Sequence, residues 1–230
     1  MATKKVVAII GASGDMGSAI AKALVNSDYR LLLVSRDKSK AVKLFAWLKR
    51  KRPTAEVEIV ESEKEACREA DIILLAVPYK TEKEVAENIR EVATQKVVID
   101  VSNPLNDAYY HLVTAPGASA AEELQKVLPN SKVVKAFNMI FASDLAQLGE
   151  KEKQIKTFIA GDDEEALSIV GEMSVSMGLK PVIAGGISQS GNLEKMMVQL
   201  IELKKEENYN NLIGLNVRRH SPVTFKSVIR

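Results

Sequence analysis

Short apolar runs separated by longer amphipathic stretches leave this chain of 230 residues few folds to choose from. The runs are Val6–Ile10, Leu31–Ser35, Val57–Val60, Ile72–Val77, Val97–Asp100, Val133–Phe137, Thr157–Gly161 and Lys180–Ala184. The early ones are apolar throughout rather than alternating, as suits parallel strands covered on both faces. Between them stand helix-start signals. "SEKE" at Ser62, "TEKE" at Thr81 and "SAAE" at Ser119 match a capping box, and "DDEE" from Asp162 puts acids in a first turn, where they complement the helix dipole. Repeated strand–helix–strand alternation predicts an α/β fold with a doubly wound, mainly parallel sheet. The most polar connection, Gly149–Gln154, is the best candidate boundary between a larger first part and a small C-terminal extension.

Composition narrows the classes. Hydrophobic residues are 46% and charged residues 27% of the chain, ordinary values for a soluble globular protein. A net charge of +2 gives no reason to expect nucleic acid or a membrane surface as partner. "KRKR" (Lys49–Arg52) reads as a solvated helix end favoured by the dipole, with a nucleic-acid patch as its alternative. Cys67 is the single cysteine, so neither an intramolecular disulfide nor a cysteine-based metal site can form, and a reducing, cytoplasmic compartment fits best. Cys67 itself reads as a half-buried helix residue without a redox task. The apolar stretch near the N-terminus breaks at Gly11 too early for a signal-peptide core, and no run reaches the roughly 18 apolar residues of a membrane helix.

The first run leads straight into "GASGDMG", Gly11 to Gly17. Such a stretch is either a flexible turn or a cradle for the phosphates of a dinucleotide. In a cradle the first glycine makes the tight turn, the next lets backbone approach the pyrophosphate, and the last lets helix pack on strand. Gly11, Gly14 and Gly17 supply that set as G-x-x-G-x-x-G, with Ala12 where a glycine is common. A strand pattern before, the helix pattern "MGSAIAKALV" after and a second strand soon beyond favour the cradle, and with it a Rossmann-type fold. The division is then a dinucleotide-binding domain over 1–150 and a smaller α/β part over 151–230.

NADP rather than NAD is favoured at the end of the second strand. An NAD site usually carries an acid there for the ribose hydroxyl, whereas this chain reads "VSRDKSK". Arg36 can fork onto a 2′-phosphate, the Ser35 hydroxyl can donate beside it, and Lys40 can lean back over it. Against this, Arg36 and Lys40 could be plain surface cations, with Asp37 placed to neutralise Arg36 in part. Ligands lie beyond the carboxyl ends of parallel strands, which puts Val77 and Pro78 beside the nicotinamide or its ribose and Tyr79 just outside. Asn103 and Pro104 end the fifth strand, either in that crevice or as a simple turn.

Together "GASGDMG", "SRDKSK", "VPY", "SNPL", "SAAEEL", "LPNSKVVKAFN" and "AGDDEEA" resemble the NADP-dependent oxidoreductase family that uses the deazaflavin coenzyme F420. The cytoplasmic NADPH-oxidoreductase domain of the STEAP metalloreductases is similar too. The resemblance implies that Ser13, Gly14, Asp15 and Met16 bind the pyrophosphate. It gives Ser35, Arg36 and Lys40 the 2′-phosphate, and it lays Pro78 and Tyr79 along the cofactor. Asn138, in "KAFNMI", would meet the nicotinamide and the second ring, as an orienting group. It further implies NADP(H) as cofactor, with deazaflavin or a flavin as co-substrate.

Hydride transfer between two ring systems needs no protein nucleophile, because the cofactors carry the chemistry. No catalytic side chain and no metal is therefore expected, and His111 and His220 stand too far apart in sequence to suggest a metal site. Leu193, Met196, Met197, Leu200 and Ile201 form one helical stripe, which is core, a dimer face in a homodimer, or an apolar wall for a flavin ring. Two other functions compete. One is an NADP-dependent dehydrogenase of a small organic substrate, for which Lys135 and Lys195 are the candidate proton-transfer lysines. The other is a non-catalytic NADP(H)-sensing module.

Overall fold

The structure is a computed structural model and describes residues 4–108, 111–146 and 155–205. Strands β1 (Lys5–Ile10), β2 (Tyr29–Val34), β3 (Val57–Ile59), β4 (Ile72–Leu75), β5 (Val97–Asp100), β6 (Lys132–Ala136), β7 (Lys156–Gly161) and β8 (Lys180–Gly185) fall on the apolar runs. Between them lie α1 (Asp15–Leu24), α2 (Lys38–Lys51), α3 (Glu63–Glu69), α4 (Tyr79–Ile89), α5 (Ala120–Val127), α6 (Ala142–Ala146) and α7 (Glu164–Ser176), and α8 (Ser190–Lys205) follows β8. One sheet has the order β3-β2-β1-β4-β5-β6-β7-β8. The first six strands are parallel, β7 pairs antiparallel with β6, and β8 pairs parallel with β7. The chain leaves β1 for β2 on one side and β4 lies on the other, which opens a crevice at the carboxyl end of β1.

Alternation along the strands divides the core in two. Val7, Ile9, Leu31, Leu33, Ile72 and Leu74 face α1, α2 and α7 through Ile20, Leu24, Leu48, Val170 and Met173. Ala8, Ile10, Leu32, Val34, Ile73 and Leu75 face α3, α4 and α5 through Cys67, Ala86, Ile89 and Leu124. Both faces are covered, so these strands are apolar throughout. A third cluster packs Leu193, Met197 and Leu200 of α8 on Met139 and Ala160, with Met196 and Ile201 at its margin, so the methionine stripe serves as core.

The capping residues at Ser62, Ser119 and Asp163 each accept the N–H three residues on. Thr81 does not cap a helix: α4 begins at Tyr79 behind Pro78, and the Thr81 hydroxyl, already inside the first turn, donates to the Pro78 carbonyl at 3.0 Å. Proline's fixed φ starts the helix three residues earlier than the polar pattern implies. Cys67 is fully buried rather than half-buried, because α3 turns that face onto the sheet, and burial pushes its thiol up to about 12. The "KRKR" segment ends α2, where Arg52 donates to the carbonyls of Val25 and Ser27. His111 is exposed. The Gly149–Gln154 boundary and His220 lie outside the described residues. Among the described residues no helix is long and apolar enough to cross a membrane.

Candidate functional site

The glycine loop is shaped by contact with the strand beside it. Gly11 takes φ +84°, and a Cβ there would lie 2.4 Å from the Ala76 carbonyl oxygen at the end of β4. A Cβ on Gly17 would lie 2.4 Å from the Gly11 carbonyl oxygen, so the last glycine is what lets α1 rest on the loop. The N–H groups of Gly11 and Ala12 both donate to the Val34 carbonyl at 3.0 Å, which ties the loop to the end of β2. Ala12 is buried there, and that explains why this position needs no glycine. Gly14, the residue before α1, has no side chain to cap it. The first N–H groups of α1, from Asp15, Met16 and Gly17, are thus left for an anion at the positive end of the helix.

A cleft of about 880 Å³ opens over this loop. Gly11, Ser13, Gly14, Ser35, Arg36, Lys40, Val77 and Pro78 line it, so most of the candidate residues come together. The Ser13 and Ser35 hydroxyls bond each other across its floor. Asp37 is drawn away from Arg36 because it caps α2. Its carboxylate accepts the Lys40 N–H at 3.0 Å and the Ser39 hydroxyl at 2.9 Å, with the Lys40 ammonium at 3.7 Å. These bonds hold its pKa below the usual carboxylate range. Arg36 has no ion-pair partner among the described residues and stands exposed on the cleft. The cradle thus offers free helix N–H groups at the start of α1 and, across the cleft, an open guanidinium beside the Ser35 hydroxyl, groups suited to anions.

Tyr79 turns away from the cleft. Its hydroxyl donates to Glu123 of α5 at 2.6 Å, and it lines a separate pocket of about 230 Å³ between α4 and α5. As the first residue of α4, its side chain points to the next helix while Pro78 faces the cleft.

Asn103 and Asn138 meet at the ends of β5 and β6. The Asn103 side-chain N–H donates to the Asn138 backbone carbonyl at 2.9 Å, and the Asn138 side-chain N–H donates to the Asn103 amide oxygen at 3.0 Å. Asn103 also makes a tight turn, with the Leu105 N–H donating to its carbonyl at 2.8 Å, and neither Asn103 nor Pro104 lines the cleft over the glycine loop. Phe137, buried just before Asn138, takes φ +62°, a conformation a bulky residue keeps only when packing holds it.

Sequence reasoning missed the group beneath them. Lys135 of β6 is wholly buried, and its ammonium donates to Asp100 at 2.8 Å, to Glu194 of α8 at 2.7 Å and to the Ser102 carbonyl at 2.6 Å. Glu194 also accepts the Ala120 N–H at the start of α5 at 3.0 Å. Glu82 of α4 accepts the Ser102 hydroxyl at 3.3 Å. The one available signal was an aspartate and a lysine inside apolar runs, at positions the sheet sets opposite each other. Burial works against the charge on Lys135, but Asp100, Glu194 and Glu82 outweigh it and raise its pKa. Lys135 is thus held as an ammonium and is no proton-transfer base, while Lys195 is exposed.

Burial, then the charge of Asp100, push the Glu82 carboxyl well above the usual range, against the pull of Lys135. The sign of the pH effect follows. As pH rises past the ordinary carboxyl value the unfolded chain loses this proton first, so the folded state loses stability up to the raised value. Glu82→Gln removes that loss. Its melting temperature should gain on the wild type by a few degrees more at about pH 8 than at about pH 5. A difference independent of pH would contradict the assignment.

Fold and cradle define a Rossmann-type NADP-dependent oxidoreductase. Residues 6–104 match the family model of the coenzyme F420-dependent NADP oxidoreductases. The match, over less than half of the chain, bears out the resemblance read from the motifs. Over 205 residues the chain is 29% identical to the F420-dependent NADP reductase of Methanocaldococcus jannaschii, covering 86% of this chain and 91% of that one. It is 27% identical to human metalloreductase STEAP2, with 88% of this chain matching 38% of the larger protein. A solved structure from Arthrobacter sp. FB24 superposes with a TM-score of 0.75 at 21% identity, covering 88% of this chain and 94% of that one, which shows the shared fold.

Proposed function

We propose that this protein transfers hydride between NADP(H) and the deazaflavin coenzyme F420, with a flavin as a poorer acceptor. The observation that carries the NADP part is the exposed Arg36 on the cleft, with Ser13 and Ser35 beside it and the glycine cradle behind. The acceptor follows from similarity over most of the chain to reductases that bear that coenzyme in their name. Bound NADPH supplies a hydride from its nicotinamide ring to the facing ring.

The chain's own residues bind and orient. The first N–H groups of α1 and Gly14 take the diphosphate, and Ser35, Arg36 and Lys40 take the 2′-phosphate. Val77 and Pro78 form an apolar wall that keeps water from one side of the nicotinamide. Asn103 and Asn138, bonded to each other at the carboxyl ends of β5 and β6, would orient a second ring bound there. Holding two ring carbons about 3–3.5 Å apart is the main catalytic task. We assign 1–150 to NADP binding and 151–230 to closing the acceptor pocket, where α8 packs on Met139 next to Asn138. The reading extends to a cytoplasmic homodimer. A single buried cysteine suits a reducing compartment.

Purified protein is mixed with NADPH and, in turn, deazaflavin, FMN, FAD and a ferric chelate, and nicotinamide absorbance is followed. Deazaflavin should turn over fastest. No reduction of any acceptor would sink the proposal and favour a sensing module.

A further inference from the structure

Three walls stand around the strand ends beside the cleft, and one buried ammonium bonds to two of them and is linked to the third through Ser102. The first wall is α4, whose Thr81 and Val85 line the NADP cleft. Glu82 lies between them in sequence, facing inward and accepting the Ser102 hydroxyl. The second is formed by the ends of β5 and β6, with Asn103 and Asn138 locked amide to amide. The third is α8, which packs on Met139 and presents Glu194 inward. Lys135 reaches the second wall through Asp100 and the Ser102 carbonyl, the third through Glu194, and the first through Ser102 to Glu82.

An ammonium and three carboxyl groups sealed from water are a costly way to hold a scaffold together, since apolar residues of similar volume often do as well or better. The arrangement brings directional bonds to the two peptide units that flank Ser102, next to Asn103. The Ser102 carbonyl is held by Lys135 at 2.6 Å, and the Ser102 N–H donates to Asp100 at 2.6 Å. Neither peptide unit can rotate without breaking a charge-assisted bond. Asn103 in turn fixes Asn138, whose amide oxygen is buried without a partner among the described residues. An unpaired buried amide oxygen is stable only when a ligand N–H reaches it or strong neighbours hold it there.

We propose that Lys135, with Glu194, is a positioning residue for hydride transfer: it sets Asn103, Asn138 and α8 on the acceptor side of the crevice, and its one link toward the NADP cleft is indirect, through Ser102 to Glu82 of α4. The proposal rests on the hydride-transfer reading above. The glycine loop and Arg36 lie on the other side of the switch point, at β1 and β2, and no bond of this network reaches them among the described residues. Binding of NADP and geometry at the acceptor are therefore separable.

The test is the double variant Lys135→Met/Glu194→Gln. It removes one positive and one negative charge together, keeps the length of the Glu194 side chain and shortens that of Lys135 by one atom. Its Kd for NADP+ should stay within about threefold of wild type, while kcat with deazaflavin falls about tenfold or more. Amide hydrogen exchange adds a readout that needs no turnover. Protection of α8 and of the segment around Asn138 should fall about tenfold, with α1 and β1 unchanged. A folded variant with wild-type kcat, or with wild-type exchange at α8 and Asn138, overturns the proposal. So does an NADP+ affinity that falls in step with kcat, which would make the network general scaffold. If the double variant does not fold, Glu194→Gln alone keeps the Lys135–Asp100 pair and should give the same split at several-fold size. Failure of that variant to fold also assigns the network to the scaffold. A wild-type protein inactive with every acceptor refutes the hydride-transfer reading, and the exchange result still decides the positioning.

Discussion

Arg36→Ala should weaken NADP+ about 10- to 150-fold while leaving NAD+ within about twofold. The range is the roughly 1.5–3 kcal/mol that a hydrogen bond to a charged group contributes, converted to affinity. The guanidinium has no competing ion pair among the described residues, so its charge is available to a phosphate. Asp37, the nearest acid in sequence, is held by the Lys40 and Ser39 groups it caps. NAD+ lacks the phosphate and so has nothing to lose at this position. Lys40→Ala should cost less, because its ammonium is exposed and already shared with Asp37 at 3.7 Å. Calorimetric titration with both dinucleotides checks the pair. Equal losses for NADP+ and NAD+ would remove Arg36 from the 2′-phosphate site.

Gly11→Ala should have the larger effect on the fold itself. The residue sits at φ +84°, and its new Cβ would stand 2.4 Å from the Ala76 carbonyl oxygen. Both partners are backbone, one at the end of β1 and the other just beyond β4, and neither can yield without shifting a central strand. Strain and clash together should cost about 3–5 kcal/mol, a melting temperature lower by about 10 °C or more. Gly14→Ala is the contrast. Gly14 has φ −71°, and a Cβ there would meet its nearest neighbour, the Gly11 carbonyl oxygen, at 3.3 Å. That variant should melt within a few degrees of wild type yet bind NADP+ more weakly, since the methyl stands where the diphosphate approaches the helix end. Thermal melts and titrations of the two proteins separate the roles. Equal melting temperatures would show that the loop adapts and that the close approach at Gly11 is not required.

Much of this was legible along the chain because it depends on neighbours in sequence. Strands covered on both faces must be apolar at every position, and Val7 to Ile10 or Ile72 to Leu75 announce that without help from other segments. Caps at Ser62 and Ser119 bond three residues on, so their spacing is visible in the sequence. Thr81 failed as a cap because Pro78 starts the helix first, a competition between two local signals in which a fixed φ outweighs a polar side chain. Tyr79 was read toward the cofactor because it follows "VP". Its hydroxyl instead goes to Glu123, 44 residues away, on a helix whose position no local pattern reveals.

By itself the sequence determined the order of strands and helices, the glycine cradle and the Ser35–Arg36 end of β2. Each rests on residues close together in the chain, where backbone conformation and apolar periodicity decide the outcome. Only the tertiary structure decided how Lys135 is used. Its partners Asp100, Ser102 and Glu194 come from β5, the turn after β5 and α8, and Glu82 of α4 joins them through Ser102. Taken singly, each is a polar residue in or beside an apolar run. A buried charge becomes tolerable only when opposite charges and donors stand within about 3 Å of it in three dimensions, and that condition is met by the packing of whole elements rather than by any stretch of sequence.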